Sequence, residues 1–439
     1  MSEKKVPYGH AAVSKENRKT LKLNNLEGAF AVSSDNLFGP YLGLFALALG
    51  ATPTQIGLLS ALPALLGNLL QIPYGILTEK LGKRKLLIII GSFWNRISLI
   101  MMAFVPFFVA EDMRVNALIL LATLRVTVGS LSVPAWTAIQ AEIIPRQIRG
   151  KYYANRNVIL NICGLVATFV AGRILAADFP INYKSLFVLA GITGLASTAT
   201  FVKLDFKPVK PTEKSDQRMK FSEKVKAFSG MLKSAKDYSS YCVSSFIWNI
   251  AATINGPFIS IYFVEVLGGQ PQNFAIVNGA ATVAGILCQK YWGRLVDRYG
   301  QKNIMLYSGV GVIFVPFLWF ASTISPLALL VNFWSGFMWG GYNLAAFNLL
   351  LDITPDANRS LYIGAYNTII GVATTIGPVI GGFVAESFGL RMVFLLSFFL
   401  RGVGLWLFKR NVNDLSEKKM SFKDLSPFPK KGNVGIGLE

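Results

Sequence analysis

Apolar runs of about 20 residues recur along the whole chain, each long enough to cross the ~30 Å of hydrocarbon in a bilayer. Backbone N–H and C=O groups in lipid must be satisfied within their own segment, so such runs read as helices. They predict twelve membrane helices, at 25–49, 55–77, 86–109, 117–139, 155–176, 185–203, 240–267, 273–292, 303–323, 326–349, 361–384 and 391–409. The composition agrees: the chain is 53% apolar and 15% charged, whereas soluble domains carry about 25% charged residues. The expected fold is an all-α membrane protein.

The net charge of +20 would suit a nucleic-acid partner, but its placement does not. Nearly all of the 43 Lys and Arg adjoin one alternating set of loops and the two tails. The opposite loops hold only Arg114, Arg173, Lys184 and Arg391, while Arg96, Arg125 and Arg401 fall inside spans. Cationic loops stay in the cytoplasm, so both termini are expected there, with the chain in a plasma membrane. The first 20 residues lack the apolar core of a cleavable signal. Cys163, Cys242 and Cys288 lie in apolar runs and the single His10 lies in the polar N-terminal tail, so neither a disulfide framework nor a metal site is expected. No G-x-x-x-x-G-K-[ST], H-E-x-x-H or G-x-S-x-G is present. An enzyme or ATP-driven pump is therefore not expected, nor any cofactor.

The halves repeat. Gly75–Lys85, G-I-L-T-E-K-L-G-K-R-K, returns as Gly293–Asn303, G-R-L-V-D-R-Y-G-Q-K-N. Ala141–Asn157 aligns without gaps on Leu351–Asn367, matching Glu142 with Asp352 and Arg149 with Arg359, and Gly39-Pro40 meets Gly256-Pro257. Glycines at fixed places in a charged hairpin suit a tight turn between antiparallel helices. The doubled hairpin resembles the loop 2–3 and loop 8–9 signature of the major facilitator superfamily, over roughly residues 20–410. That resemblance implies two pseudo-symmetric six-helix halves with a solute site between them near mid-membrane. The chain then divides into a tail (1–24), a first half (25–203), a linker (204–239), a second half (240–410) and a second tail (411–439). In the linker, Phe221, Val225, Phe228, Leu232 and Ala235 fall at helical spacing, with Lys220, Lys224, Lys233 and Lys236 off that stripe. This is either an amphipathic helix on the inner leaflet or a solvated linker. The resemblance also implies an inner latch: Gly75, Glu79, Lys80, Gly82, Lys83 and Arg84 in one loop, Gly293, Arg294, Asp297 and Arg298 in the other, and Glu142, Arg149, Asp352 and Arg359 at the matched loop pair. Glu79 stands where the family more often has Asp, and Gln301 where it has a base.

Charges inside spans cost about 2.5–3.5 kcal/mol each on insertion scales, so each needs a reason. Asn24, Gly28, Asp35 and Gly39 share one face of span 1, with Glu27 two turns from Asp35. Arg125, Gly129, Ser132, Trp136 and Gln140 form a stripe in span 4. Arg125 and Gly129 resemble the R-x-x-x-G of the superfamily's proton-coupled antiporters, which implies proton coupling through Arg125 and an acid of span 1: Asp35, with Glu27 next. Span 5 departs from the antiporter pattern, having no Pro between Gly164 and Arg173. A fixed Asp35–Arg125 structural pair is the alternative. Arg96 and Arg401 either pack within their own halves or face the cavity, where they would favour an anion. Asn36, Trp136, Trp248, Asn249, Thr253, Asn255, Trp339, Asn343 and Tyr366 are the remaining candidates for solute contact. Aromatics with a few amides suit an amphipathic organic compound, though interhelical packing explains them equally.

The expected activity is secondary transport by alternating access, most simply proton-coupled efflux of an amphipathic compound by a monomer in the bilayer. Uptake or exchange of an organic anion is the alternative, and a transport-fold sensor or lipid-interaction protein without flux is a third.

Overall fold

The computed structural model describes residues 6–8, 11–13, 15–144, 148–204, 236–354, 359–413, 420 and 424. Apart from a short antiparallel pair, Val6–Tyr8 with Ala11–Val13, the regular structure among the described residues is helical. The linker stripe lies outside the described residues.

Among the described residues twelve helical spans are present, several longer than their apolar runs. Span 1 is Lys15–Phe38 continued by Leu42–Ala48, span 2 Pro53–Leu69 with Gln71–Leu81, span 3 Arg84–Ala103, and span 4 Arg114–Gly129 with Ser132–Ile143. Span 5 is Arg149–Ile174 and span 6 Ile181–Val202. Span 7 is Lys236–Ile254 with Ile259–Glu265, span 8 Phe274–Tyr299, span 9 Gln301–Ala321, span 10 Leu327–Ile353, span 11 Arg359–Phe388 and span 12 Leu390–Asn411.

The interruptions follow from proline. Pro40 and Pro257 lack an N–H, and each sits in a one-turn 3₁₀ step, Gly39–Tyr41 and Gly256–Phe258, at matching places in spans 1 and 7. Pro73 and Pro134 lie in the first turn after the breaks at Leu70 and Ser130–Leu131, where a missing donor is tolerated. Span 2 opens on a capping box between Thr52 and Gln55. It closes on Gly82 at φ 61°, and Gly300 at φ 79° turns the matching loop, as the doubled glycines predict.

Among the described residues, eight spans are long and apolar enough to cross a membrane on that ground alone. Spans 1, 2, 8 and 10 are the others, being interrupted or diluted by Asn, Gly and charged residues. All four contribute residues to the cavity between the halves.

Among the described residues, the close contacts between the halves gather towards the Gly50 end. Near the Gly50 turn, spans 2 and 11 approach so closely that a Cβ on Gly57 would lie 2.4 Å from the Pro378 carbonyl oxygen, and one on Gly382 would lie 2.9 Å from that of Pro53. Spans 5 and 8 do the same, with a Cβ on Gly172 falling 2.7 Å from Ala275. Small residues let backbones touch where lipid supplies no hydrophobic drive. The Thr54 amide donates to Glu386 across this seam at 3.1 Å, and Asn68 Nδ2 donates to the Gly371 carbonyl at 3.4 Å. One aromatic core joins both halves there, running from Phe38, Tyr41 and Phe45 to Tyr262, Phe274 and Phe394. At the other end the cores are separate: one around Trp292 and Tyr241 in the second half, two smaller ones around Ile139 and Tyr152 in the first. Among the described residues, the molecule is closed at the Gly50 end and divided, with separate cores, at the Gly82 and Gly300 end.

If this seam opens during function, cysteines at Thr54→Cys and Glu386→Cys in a background without native cysteines should form a disulfide on mild oxidation. The cross-linked protein should stop turning over and recover on reduction. Unimpaired flux through the cross-linked protein would mean that the seam is static.

Candidate solute and proton site

Asp35 lies mid-way along span 1 with its side chain 54% exposed, against 11% and 12% for Arg96 and Arg125. Its Oδ1 accepts from Arg96 Nη1 of span 3 at 3.0 Å and from Arg125 Nη2 of span 4 at 3.4 Å. The expected partner Arg125 is there, and Arg96 joins it. Arg96, expected either in packing or at the cavity, does both: a Cβ on Gly194 would fall 2.2 Å from its Cδ, so span 6 has room for the stem only because that residue is glycine. Arg96 Nη1 also donates to Ser34 Oγ at 3.3 Å, and Ser34 Oγ donates to the Ala190 carbonyl at 2.7 Å. The Arg125 guanidinium sits 4.2 Å from the centre of the Phe38 ring, a cation–π contact.

The spacing of Arg125 and Gly129 has a local cause. Asn95 Nδ2 donates to the Arg125 carbonyl at 3.4 Å, close to the break in span 4, and a Cβ on Gly129 would lie 2.7 Å from that nitrogen. Asp35, Arg96 and Arg125 line a cavity of about 330 Å³ with Asn68, Gln71 and Asn95. The cavity wall thus holds two guanidiniums to one carboxylate. A second cavity of about 360 Å³ lies between the halves, walled by Leu42, Ile56, Leu59, Ile259 and Phe274 with Asn278 and Asn332 among the polar groups.

Glu27 has a different partner. Its carboxylate accepts from Arg156 Nη2 at 3.4 Å and from Ser197 Oγ at 3.1 Å, with both charged side chains nearly enclosed. Arg156 also donates to the Asn24 carbonyl at 3.3 Å. Asn24 and Gln140 exchange amide bonds at 2.9 and 2.8 Å, and Asn24 donates to the Tyr152 hydroxyl at 2.8 Å. A Cβ on Gly28 would collide with the Arg156 guanidinium. Trp136 lies over that guanidinium at 5.9 Å. Counting Arg156 with the loop before span 5 hid this cluster; the Asn24–Gly28 face and Gln140 of the span 4 stripe were its visible parts.

In the second half, Arg401 is 3% exposed and bonded within its own half: Nη1 to the Val312 carbonyl at 3.0 Å, Nη2 to Asn255 Oδ1 at 3.1 Å. Trp339 lies 5.7 Å beneath it. Trp248 is buried, stacked on Tyr342 at 4.5 Å, and Tyr366 is stacked on Tyr241 at 5.5 Å. Asn249 donates to the Ser245 carbonyl and Thr253 to that of Asn249, while Asn343 is exposed. Asn36 turns toward span 5, donating to the Val32 carbonyl and accepting from Thr168. None of these candidates lines either cavity.

At the divided end, Lys80, Lys83, Arg294, Asp297, Arg298 and Asp352 are exposed, and Arg84 is half-buried. The side chains of Glu79, Glu142, Arg149 and Arg359 lie outside the described residues. Gly75 and Gly293 need neither positive φ nor room here, since a Cβ on either would meet nothing within 4 Å. Among the described residues no cluster of His, Cys, Asp and Glu could hold a metal.

The Major Facilitator Superfamily model matches residues 28–248 and 239–434. The chain is 27% identical over 379 residues to a protein of Lactococcus lactis named as a multi-drug resistance efflux pump homolog, covering 82% of this chain and 87% of that one. It is 33% identical over 175 residues, 37% of this chain and 40% of the relative, to a multi-drug resistance efflux pump of Streptococcus pneumoniae. A crystal structure of a nucleoside transporter superposes with a TM-score of 0.73 at 15% identity, covering 89% of this chain and all of that one. A bacterial homolog of the human lysosomal transporter Spinster, in an inward-facing and unoccupied conformation, superposes at 0.70 and 13% identity, covering 90% and 97%. At such identities the superpositions speak for the fold.

Gly194→Val should force Arg96 off its seat and cost roughly 1–3 kcal/mol as an overpacked contact. Thermal unfolding of the purified variant would show the loss, and an unchanged transition would mean that Arg96 is not held by span 6.

Proposed function

Because the chain belongs to the Major Facilitator Superfamily, we propose that it carries an amphipathic organic solute across the plasma membrane by alternating access, coupled to protons through Asp35. Membership makes it a multi-pass transport protein; the solute, its direction and the coupling ion are our reading. The observation that carries it is Asp35 itself: a half-exposed carboxylate at a cavity wall, bridging two arginines from two other spans. Such a group gains or loses a proton as the spans around it move, whereas the enclosed Glu27–Arg156 pair is already satisfied on several sides. Glu27 is the second acid in the same reading. Efflux is the direction that the names of the relatives support.

The Lys/Arg distribution assigns the Gly82 and Gly300 loops and both termini to the cytoplasm. On that assignment the divided end is the inner one, and the conformation faces inward. The two charged loops then latch when the inner side closes, Glu79 and Asp297 exchanging partners among Lys80, Lys83, Arg84, Arg294 and Arg298, with Glu142, Arg149, Asp352 and Arg359 at the neighbouring loop ends. The empty space at Gly75 and Gly293 fits a position that needs glycine only in the closed inner state.

A second reading, uptake or exchange of an organic anion, is favoured by one observation: Arg96 reaches the same cavity as Arg125, which leaves a positive excess there. Arg401 lends it no direct support, being bonded inside its half. A sensor of the same fold would bind ligand without moving it, and a flux assay separates the two.

In proteoliposomes with an internal pH dye, Asp35→Asn that is folded by thermal unfolding should lose solute-dependent proton movement while retaining ligand binding. Undiminished proton movement would remove Asp35 and leave Glu27 to test. Gly75→Leu should leave inward-facing ligand binding within about twofold of the wild type and slow turnover at least tenfold, since its side chain clashes only when the inner side closes. Loss of binding with normal turnover of the remainder would contradict the latch.

A further inference from the structure

In the cavity beside Asp35, the two cations are enclosed by neighbouring spans and the carboxylate is the exposed partner. Arg96 is threaded past Gly194 and bonded to Ser34, and Arg125 lies over the Phe38 ring. Their side chains are 11% and 12% exposed, against 54% for Asp35. Asp35 meets both guanidiniums through one oxygen, Oδ1, which accepts from Arg96 Nη1 and Arg125 Nη2. Two enclosed guanidiniums that share one oxygen of an exposed carboxylate at a cavity wall have the chemistry to take a second carboxylate-like group.

From this geometry we infer that the cavity holds an organic monoanion, a carboxylate or sulfonate on an apolar body, together with a proton on Asp35. The inference deepens the anion reading above and rests on the cavity being a solute site. The charge balance favours it. Empty, Asp35⁻, Arg96⁺ and Arg125⁺ leave one positive charge. With a proton on Asp35 and the anion between the guanidiniums, the net charge is unchanged, and the anion has replaced Asp35 as counter-ion. Around Asp35, span 5 presents Thr168 through Asn36 and span 6 presents the Ala190 carbonyl through Ser34; Glu27, paired with Arg156 two turns away, also acts on Arg96 through space. The apolar wall of the cavity between the halves continues along span 2, from Ile56, Leu59 and Ser60 to Ala64 and Asn68 of the charged cavity. An apolar body therefore has somewhere to lie beside the charged head.

The linkage has a definite sign. Proton and anion each strengthen the other's binding, and the effect is reciprocal. They therefore travel together, whereas an organic cation would compete with the proton for Asp35 and be exchanged for it. The same cavity couples solutes of opposite charge to protons in opposite senses.

Binding of naphthalene-2-sulfonate, which stays ionised throughout, to the full chain in lipid nanodiscs tests this by calorimetry between pH 5 and 8. Affinity should rise about tenfold per unit of acidification over part of that range, and the heat should vary with buffer to show uptake of about one proton per anion. Asp35→Asn should bind about tenfold tighter than the wild type at pH 8, with no pH dependence or proton uptake. Arg125→Gln should bind at least tenfold more weakly. Asp35→Asn/Arg125→Gln should be flat with pH and weaker than Asp35→Asn alone. The proton uptake is read on the wild type, so the test does not depend on any variant folding. Sodium nitrate distinguishes the source of the anion: an organic head group requires the sulfonate to bind at least tenfold tighter, while equal affinity assigns the site to a free inorganic anion. No sulfonate binding, or binding that is flat or weakens with acid in the wild type, overturns the inference. These are equilibrium measurements, so a failure here stands apart from a failure of proton-coupled flux in proteoliposomes.

Discussion

Two guanidiniums inside the membrane set the terms for the first half. Each carries an insertion cost of about 2.5–3.5 kcal/mol, and Asp35 offsets part of it for both Arg96 and Arg125 from a single oxygen. The arrangement ties spans 1, 3 and 4 together at mid-membrane, and two glycines make it possible. Gly194 admits the Arg96 stem and Gly129 admits Asn95, which bonds the Arg125 carbonyl beside the break in span 4. Nearer the Gly82 end, Glu27 and Arg156 solve the same problem differently, in an enclosed network closed by Ser197, Asn24 and Gln140. One cluster is enclosed, while the other lies at a cavity wall with its carboxylate half-exposed and two guanidiniums to one acid.

The second constraint is that lipid does not drive helices together, so contact between the halves depends on close backbone approach and on a shared aromatic core. Both occur at the Gly50 end, where Gly57 meets Pro378 and a single cluster runs from Phe38 to Phe394. The other end has separate cores and glycines facing open space. A pivot at one end and independent cores at the other are what two rigid halves need in order to rock. The symmetry extends to the hydrogen bonds: Ser34 of span 1 donates to Ala190 of span 6, and Ser397 of span 12 donates to Ala251 of span 7, with donor and acceptor exchanged between the halves.

Much of this was legible from residue order. The apolar runs locate the spans, the Gly-Pro pairs locate the 3₁₀ steps of spans 1 and 7, and Gly82 and Gly300 take the positive φ that a charged tight turn requires. Asp35 with Arg125 was legible because acids and bases are scarce in membrane helices. Arg96 was not assignable, since its reach depends on a glycine in span 6 that no periodicity in span 3 reveals. Arg156 was missed because a positive charge at a helix end reads as part of a loop; the helix starts at Arg149 and carries it inside. The aromatic and amide stripes of spans 7 and 10 were readable as stripes, but facing direction is decided by packing. Trp248 and Trp339 pack into the second half around Arg401 and Tyr342 instead of lining a cavity.

The account depends on Asp35 being the carboxyl that changes protonation while Arg96 and Arg125 stay in place. Infrared difference spectroscopy of the reconstituted protein, recorded between neutral and acidic pH, observes this directly through the stretch of a protonated carboxyl. The account predicts a carboxyl band that grows on acidification, disappears in Asp35→Asn and persists in Glu27→Gln. The reverse pattern, a band lost in Glu27→Gln and unchanged in Asp35→Asn, would contradict it.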